Sequence, residues 1–141
     1  MRANNMVSAV VRQWITKAEN DLKNAAHTLK IRTACPTDTV SFHAQQCVEK
    51  YLKAFLVYKG IDYPRTHDIE RLVALLPGNI WLRLSIEEQR TLTTYATLTR
   101  YPGEYETIPL AEAQQSVRLA RRVRTDLRGL LPKGVLGSRR E

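Results

Sequence analysis

Between Val40 and Tyr58 the apolar side chains fall mostly three or four residues apart: Val40, Ala44, Cys47, Val48, Tyr51, Phe55 and Tyr58. That is the helical period, and it lays all seven along one stripe of a helix. The same period governs most of the chain. Val10, Trp14, Ala18, Leu22, Ala25 and Leu29 predict a first helix over 7–31, and Leu110, Ala113, Val117, Ala120, Val123, Leu127 and Leu130 predict a last one opening at Pro109. β-branched residues nowhere alternate with polar ones over a long stretch, so strands have no pattern to form from.

The boundaries are written in breakers and caps. Cys35-Pro36 ends the first helix, because the residue before proline is pushed out of the helical region. Thr37 or Asp38 is placed to cap the second helix, 37–59, and Gly60 to end it in the left-handed conformation that glycine adopts freely. Thr66 is expected to cap a short third helix that stops at Pro77-Gly78. Ser85-Ile-Glu-Glu88 reads as a capping box opening a fourth helix, which carries Leu92, Tyr95, Ala96 and Leu98 and breaks at Tyr101-Pro102-Gly103. The expectation is an all-α, antiparallel up-and-down bundle of four long helices and one short one, a single domain over 1–131. A basic tail, 132–141, is expected to be disordered.

A chain of 141 residues fits one domain with a real core. No apolar run approaches the roughly 20 residues that cross a bilayer, and residues 1–7 lack the apolar stretch of a signal peptide. These features predict a cytoplasmic protein with no membrane association. The two cysteines, Cys35 and Cys47, form no C-x-x-C pair, and Cys47 sits on the apolar stripe as a small hydrophobe. His27, His43 and His67 lie on three separate elements and make no metal-ligand spacing. There is no glycine-rich phosphate loop, and neither a metal nor a cofactor is expected. The net charge is +8, and the segment from Leu110 onward carries eight basic residues against three acidic ones. Such a segment attracts phosphates or an acidic partner, or else forms a solvated helix face.

The second helix carries a further row. His43, Gln46, Lys50 and Lys53, spaced three, four and three apart, share a longitudinal stripe beside the apolar face. One imidazole, one amide and two ammonium groups can hold an anion along a helix. Periodicity by itself favours an ordinary boundary row, whose lysine stems cover the core edge.

Phe42-His-Ala-Gln-Gln-Cys-Val-Glu-Lys-Tyr-Leu-Lys-Ala-Phe-Leu56 resembles the signature helix of the HEPN domain family. Thr66-His-Asp-Ile-Glu-Arg-Leu72 resembles that family's T-H-D-L-x-x-L segment, Thr99-Arg-Tyr-Pro102 its A-R-Y-P segment, and Trp14, Ala18 and Asp21-Leu22 its opening helix. The matches come in the family's order and span roughly Gln13 to Leu130. The resemblance implies a helical bundle that forms a homodimer, a minimal nucleotidyltransferase partner in a toxin–antitoxin-like pair, and a nucleotide or RNA ligand. Many HEPN proteins are also metal-independent ribonucleases, in which an arginine holds the scissile phosphate and a histidine a few residues later moves protons.

Here the matching arginine is Arg100, and Tyr101-Pro-Gly-Glu-Tyr-Glu-Thr107 follows it without a histidine. Tyr105 stands where the histidine could fall, and tyrosine, with a pKa near 10, is a poor base at neutral pH. Thr107 replaces the tyrosine of the extended toxin motif. The expectation leans away from an enzyme, towards a binding protein whose ligand residues are His43, Gln46, Lys50, Lys53, Arg100, Tyr101 and Tyr105. An arginine beside aromatics can hold a phosphate and stack a base. Equally, Arg100 could tie down helix-end carbonyls while Tyr101 packs inward. Two alternatives stand beside this reading. One is an endoribonuclease pairing Arg100 with a histidine outside the motif, His43 or His67, although His67 is expected rather to pin its loop. The other is a non-catalytic dimeric scaffold.

Overall fold

A computed structural model of the chain describes the backbone of residues 2–97 and 107–136 and the side chains of 5–97 and 107–136. Among these residues there is no strand. Six helices follow one another: α1 Arg2–Leu29, α2 Thr37–Tyr58, α3 Ile69–Ala74, α4 Ile86–Thr94, α5 Leu110–Arg128 and α6 Lys133–Leu136, with a 3-10 turn, Tyr95–Thr97, continuing α4.

α1 and α2 form an antiparallel hairpin that provides most of the core. α5 lies against both. It runs parallel to α2, since Thr37 Oγ1 donates to the Ile108 carbonyl at 2.7 Å, Ser41 and Ser116 hydroxyls meet at 3.1 Å, and Arg128 reaches the Tyr51 hydroxyl at 3.2 Å further along. α4 returns antiparallel to α5, with Arg83 and Glu88 at its start bound to Asp126 and Arg122 near the end of α5. This is the expected up-and-down order.

α2 is the central element. Fourteen of its 22 residues are buried, so it is enclosed on more than its apolar stripe. Val40, Ala44, Cys47, Val48, Tyr51 and Phe55 form the core stripe as the period predicts, and Leu52, Ala54 and Leu56 are buried as well. Burial, with the charges of Glu19 and Asp21, pushes the Cys47 thiol far above its ordinary range, which leaves it an inert hydrophobe.

Several local expectations are corrected. The buried face of α1 begins on Val11 and Ile15 rather than Val10 and Trp14. Val10 is 40% exposed while Val11 beside it is fully buried, so the buried face is rotated by one residue. The cap position of α2 is Pro36 rather than Thr37 or Asp38; Asp38 still accepts from a first-turn amide, Thr39 N–H at 2.8 Å, while Thr37 ties α2 to the segment before α5. Asp68, not Thr66, caps α3 by accepting from Arg71 N–H, while the Thr66 hydroxyl receives Asp68 N–H. α4 has only nine residues before it tightens into the 3-10 turn, so the bundle's fourth position is filled by a short helix rather than a long one. Residues at the start of the expected tail are ordered. α6 buries Val135, and the Gly134 carbonyl accepts from Arg12 at 3.4 Å. Residues 137–141 lie outside the described residues.

Two terminators match the sequence. The capping box at Ser85 and Glu88 has both of its hydrogen bonds. Gly60 sits at φ +70°, with Gly60 N–H on the Val57 carbonyl and Ile61 N–H on that of Leu56, the paired bonds of a left-handed helix end. The chain then turns back along α2, which sets up the site.

Candidate functional site

The predicted row on α2 is split by two carboxylates. Asp21 of α1 takes two of its members, with His43 Nδ1 2.7 Å from Oδ1 and Lys50 Nζ 2.6 Å from Oδ2. Glu49 of α2 itself takes Lys53 Nζ at 2.8 Å, and Gln46 leans on Gln45 and Glu49 at 2.7 and 3.4 Å. The stripe is therefore not an unbroken cationic wall. His43, Lys50 and Asp21 make a part-buried cluster joining α1 to α2. Burial alone would raise the Asp21 carboxyl, but bonds from His43 and Lys50 outweigh it and hold the group below its ordinary value.

At Lys53 the row reaches a cavity. The loop after Gly60 runs back along α2 and places Tyr63 beside Lys53 and His67 beside Glu49. Trp14 closes the near side from α1. Trp14, Lys53, Tyr63, Arg65, Thr66 and His67 line a pocket of about 430 Å³. The Lys53 ammonium lies over both aromatic rings, 5.5 Å from the Trp14 centroid and 5.7 Å from that of Tyr63, a contact that desolvation strengthens.

Glu49 organises this corner. It is nearly buried and accepts from Lys53, from Gln45 at 3.1 Å and from His67, whose Nδ1 lies at 2.9 Å. Burial would raise its pKa, but the bonds from Lys53, His67 and Gln45 win and hold it below the ordinary carboxylate range. An ionised Glu49 fixes Nδ1 as the protonated nitrogen, which leaves Nε2 of the neutral ring as an acceptor. The His67 side chain is 50% exposed, so that nitrogen is open to the pocket. Gln45 also donates to the His67 carbonyl at 3.2 Å, so His67 pins the loop as its sequence position suggests. Burial raises the Tyr63 hydroxyl's pKa, a bond from Trp14 lowers it, and the charge of Glu49 raises it further, for a net rise.

The basic residues of α5 are largely occupied within the fold. Arg124 donates to Glu19 at 2.6 Å, Arg122 pairs with Glu88 at 3.3 Å, and Arg128 donates to Tyr51, whose hydroxyl in turn donates to Glu19. Arg118 donates to Gln115. This network joins α1, α2 and α5 at the expense of the free positive surface that the composition predicts. Arg65, in contrast, is exposed and makes no ion pair among the described residues. Arg100, Tyr101 and Tyr105 lie outside the described residues.

Of the predicted ligand residues, then, Lys53 opens into the pocket, with Gln46 packed behind it and His43 and Lys50 committed to Asp21. Trp14, Tyr63 and Arg65 were missed. Trp14 reads as core from its spacing, and no periodic signal links a loop arginine to a helix one turn of the chain away. No group of residues with metal-ligand chemistry occurs among the described residues, and no described helix is long and apolar enough to cross a membrane.

The fold has solved relatives. A crystal structure of a protein from Thermus thermophilus superposes with a TM-score of 0.73 at 26% identity, covering 86% of this chain and 98% of that one. The crystal structure of an archaeal HEPN homologue superposes with a TM-score of 0.65 at 27% identity, covering 85% and 96%. No curated protein matches the chain. The model of the HEPN domain matches residues 11–130, a span that contains the hairpin, the pocket and α5, and the chain belongs to the HEPN domain family.

Proposed function

We propose that this HEPN protein is a nucleotide- or RNA-binding component of a HEPN–nucleotidyltransferase pair, acting as a homodimer and without catalysis of its own. The observation that carries the binding reading is the pocket in which Lys53, Arg65 and His67 stand beside Trp14 and Tyr63. Cationic heads recognise phosphate, and aromatic ring surface accepts a base. The missing histidine after Arg100 supports the absence of catalysis. The partner and the dimer rest on the family resemblance. The test is twofold: equilibrium binding of labelled nucleotides and short RNAs to the purified chain, and co-purification with a nucleotidyltransferase encoded beside it. Binding in the micromolar range or tighter together with a stable complex is expected. A chain that binds neither nucleic acid nor nucleotide and elutes without the transferase would refute the reading.

One observation favours a second reading, that of a metal-independent endoribonuclease. His67 is oriented by a buried carboxylate, which is how histidines that move protons are commonly held. RNA cleavage in chelator by the wild type, lost in both His67→Ala and Arg100→Ala, would replace the binding reading with this one. Equal inactivity of all three proteins would remove it.

A further inference from the structure

We infer that the pocket between α1, α2 and the loop at 61–68 is a site for one nucleotide unit ending in a single phosphate monoester. This rests on the binding reading above and specifies its ligand.

Size comes first. A volume of about 430 Å³ lies at the small end of the range for small-molecule sites. It accommodates one base, one sugar and one phosphate, not two stacked nucleotides.

Charge comes next. The Lys53 ammonium is neutralised by Glu49 at 2.8 Å, so it contributes donors more than net charge. Among the described residues Arg65 is the lining cation with no ion pair, and its planar fork suits two oxygens of a terminal phosphate. The site thus supplies the charge of Arg65 with the Lys53 donors beside it, which matches a monophosphate. A triphosphate would bring further negative charge towards the Glu49 carboxylate with no cation left to meet it.

The apolar walls supply the rest. Trp14 and Tyr63 offer ring surface for a base, and stacking of this kind tolerates any base. Inorganic phosphate alone forgoes that contact, and a nucleoside alone forgoes Arg65. The same chemistry is presented by a free mononucleotide and by the phosphorylated 5′ end of an RNA.

The chain has two tryptophans. Trp81 is 80% exposed, so Trp81→Phe leaves the fold intact and makes Trp14 the only indole reporter. In that background, adenosine 5′-monophosphate, adenosine, inorganic phosphate and adenosine 5′-triphosphate are titrated by fluorescence. The monophosphate is expected to quench Trp14 and to bind about tenfold or more tightly than adenosine or phosphate, with the triphosphate no tighter. Arg65→Ala should remove about that factor, and Arg65→Lys should restore part of it. A short oligoadenylate with a 5′-phosphate, compared with its 5′-hydroxyl form, separates the two sources. Preference for the phosphorylated oligomer over the free nucleotide assigns the RNA end, and the reverse order assigns the metabolite. Equal affinity for monophosphate and adenosine, or no effect of Arg65→Ala, overturns the inference. If RNA still shifts on a gel in that case, the broader binding reading survives. If nothing binds, both fall.

Discussion

Glu49 shows how much of this site depends on a single side chain. It receives Lys53, Gln45 and His67 from two elements while almost fully buried. Removing a buried partner leaves the other charge without compensation, which is the expensive way to break a pair. Glu49→Ala is therefore expected to lower stability by about 3 kcal/mol, read as a lower urea midpoint, with Glu49→Gln losing less because it can still accept hydrogen bonds. An unchanged midpoint for the alanine variant would show that the cluster contributes nothing to folding. The row on α2 was legible in the sequence, since the side chains of His43, Lys50 and Lys53 share one helix face. Their partners were not. Asp21 arrives from another helix, and Glu49, on α2 itself, gives no sign in its spacing of how closely the loop carrying His67 folds back over it. Spacing reports which residues share a surface and is silent about what packs on it.

At the level of elements, caps and breakers proved the most readable signals. Gly60 ends α2 in the left-handed region, and a Cβ there would meet no atom within 4 Å. Gly60→Ala therefore carries backbone strain and no clash, and should destabilise the protein by about 1 kcal/mol, checked by thermal unfolding against Gly78→Ala, whose glycine has equal space and no positive φ. Equal effects at the two positions would refute the strain argument. The same turn directs the loop back along α2, so the glycine also sets where Arg65 and His67 stand. Two element readings went astray for physical reasons. The phase of the α1 stripe shifts by one residue at Val10 and Val11, because two adjacent valines give periodicity no basis for choosing between them. α4 is cut short where Tyr95 closes a 3-10 turn and its hydroxyl donates to Glu112 at 2.5 Å, a tertiary contact that the helical pattern could not announce.

For the molecule as a whole, ion pairs join the long helices alongside the apolar core. Glu19 is part-buried and Asp21 and Glu49 are buried carboxylates, which burial would raise and which hydrogen bonds from the side chains around them hold below their ordinary values. A carboxylate with a depressed folded pKa stabilises fully above its unfolded pKa, about 4, and loses that contribution as pH falls through the lower folded value. Stability should hold from neutrality down to about pH 5 and then drop below about pH 4, measured as urea midpoints across that range. A midpoint that rises on acidification would contradict the assigned ion pairs. The helical class, the order of elements and the family were legible because they depend on period, breakers and short motifs. The pocket was not, because it depends on one loop folding back onto a helix.

That enclosure of α2 has a consequence in time. Amide hydrogens along its buried stretch can trade with solvent deuterium only when the whole bundle opens, whereas those of α3, which buries little beyond Ile69 and Leu72, can exchange through brief local excursions. The pocket joins the two regimes: its floor, Lys53, lies in the enclosed stretch of α2, and its rim lies on the loop that leads into α3 and is tied back to α2 at His67.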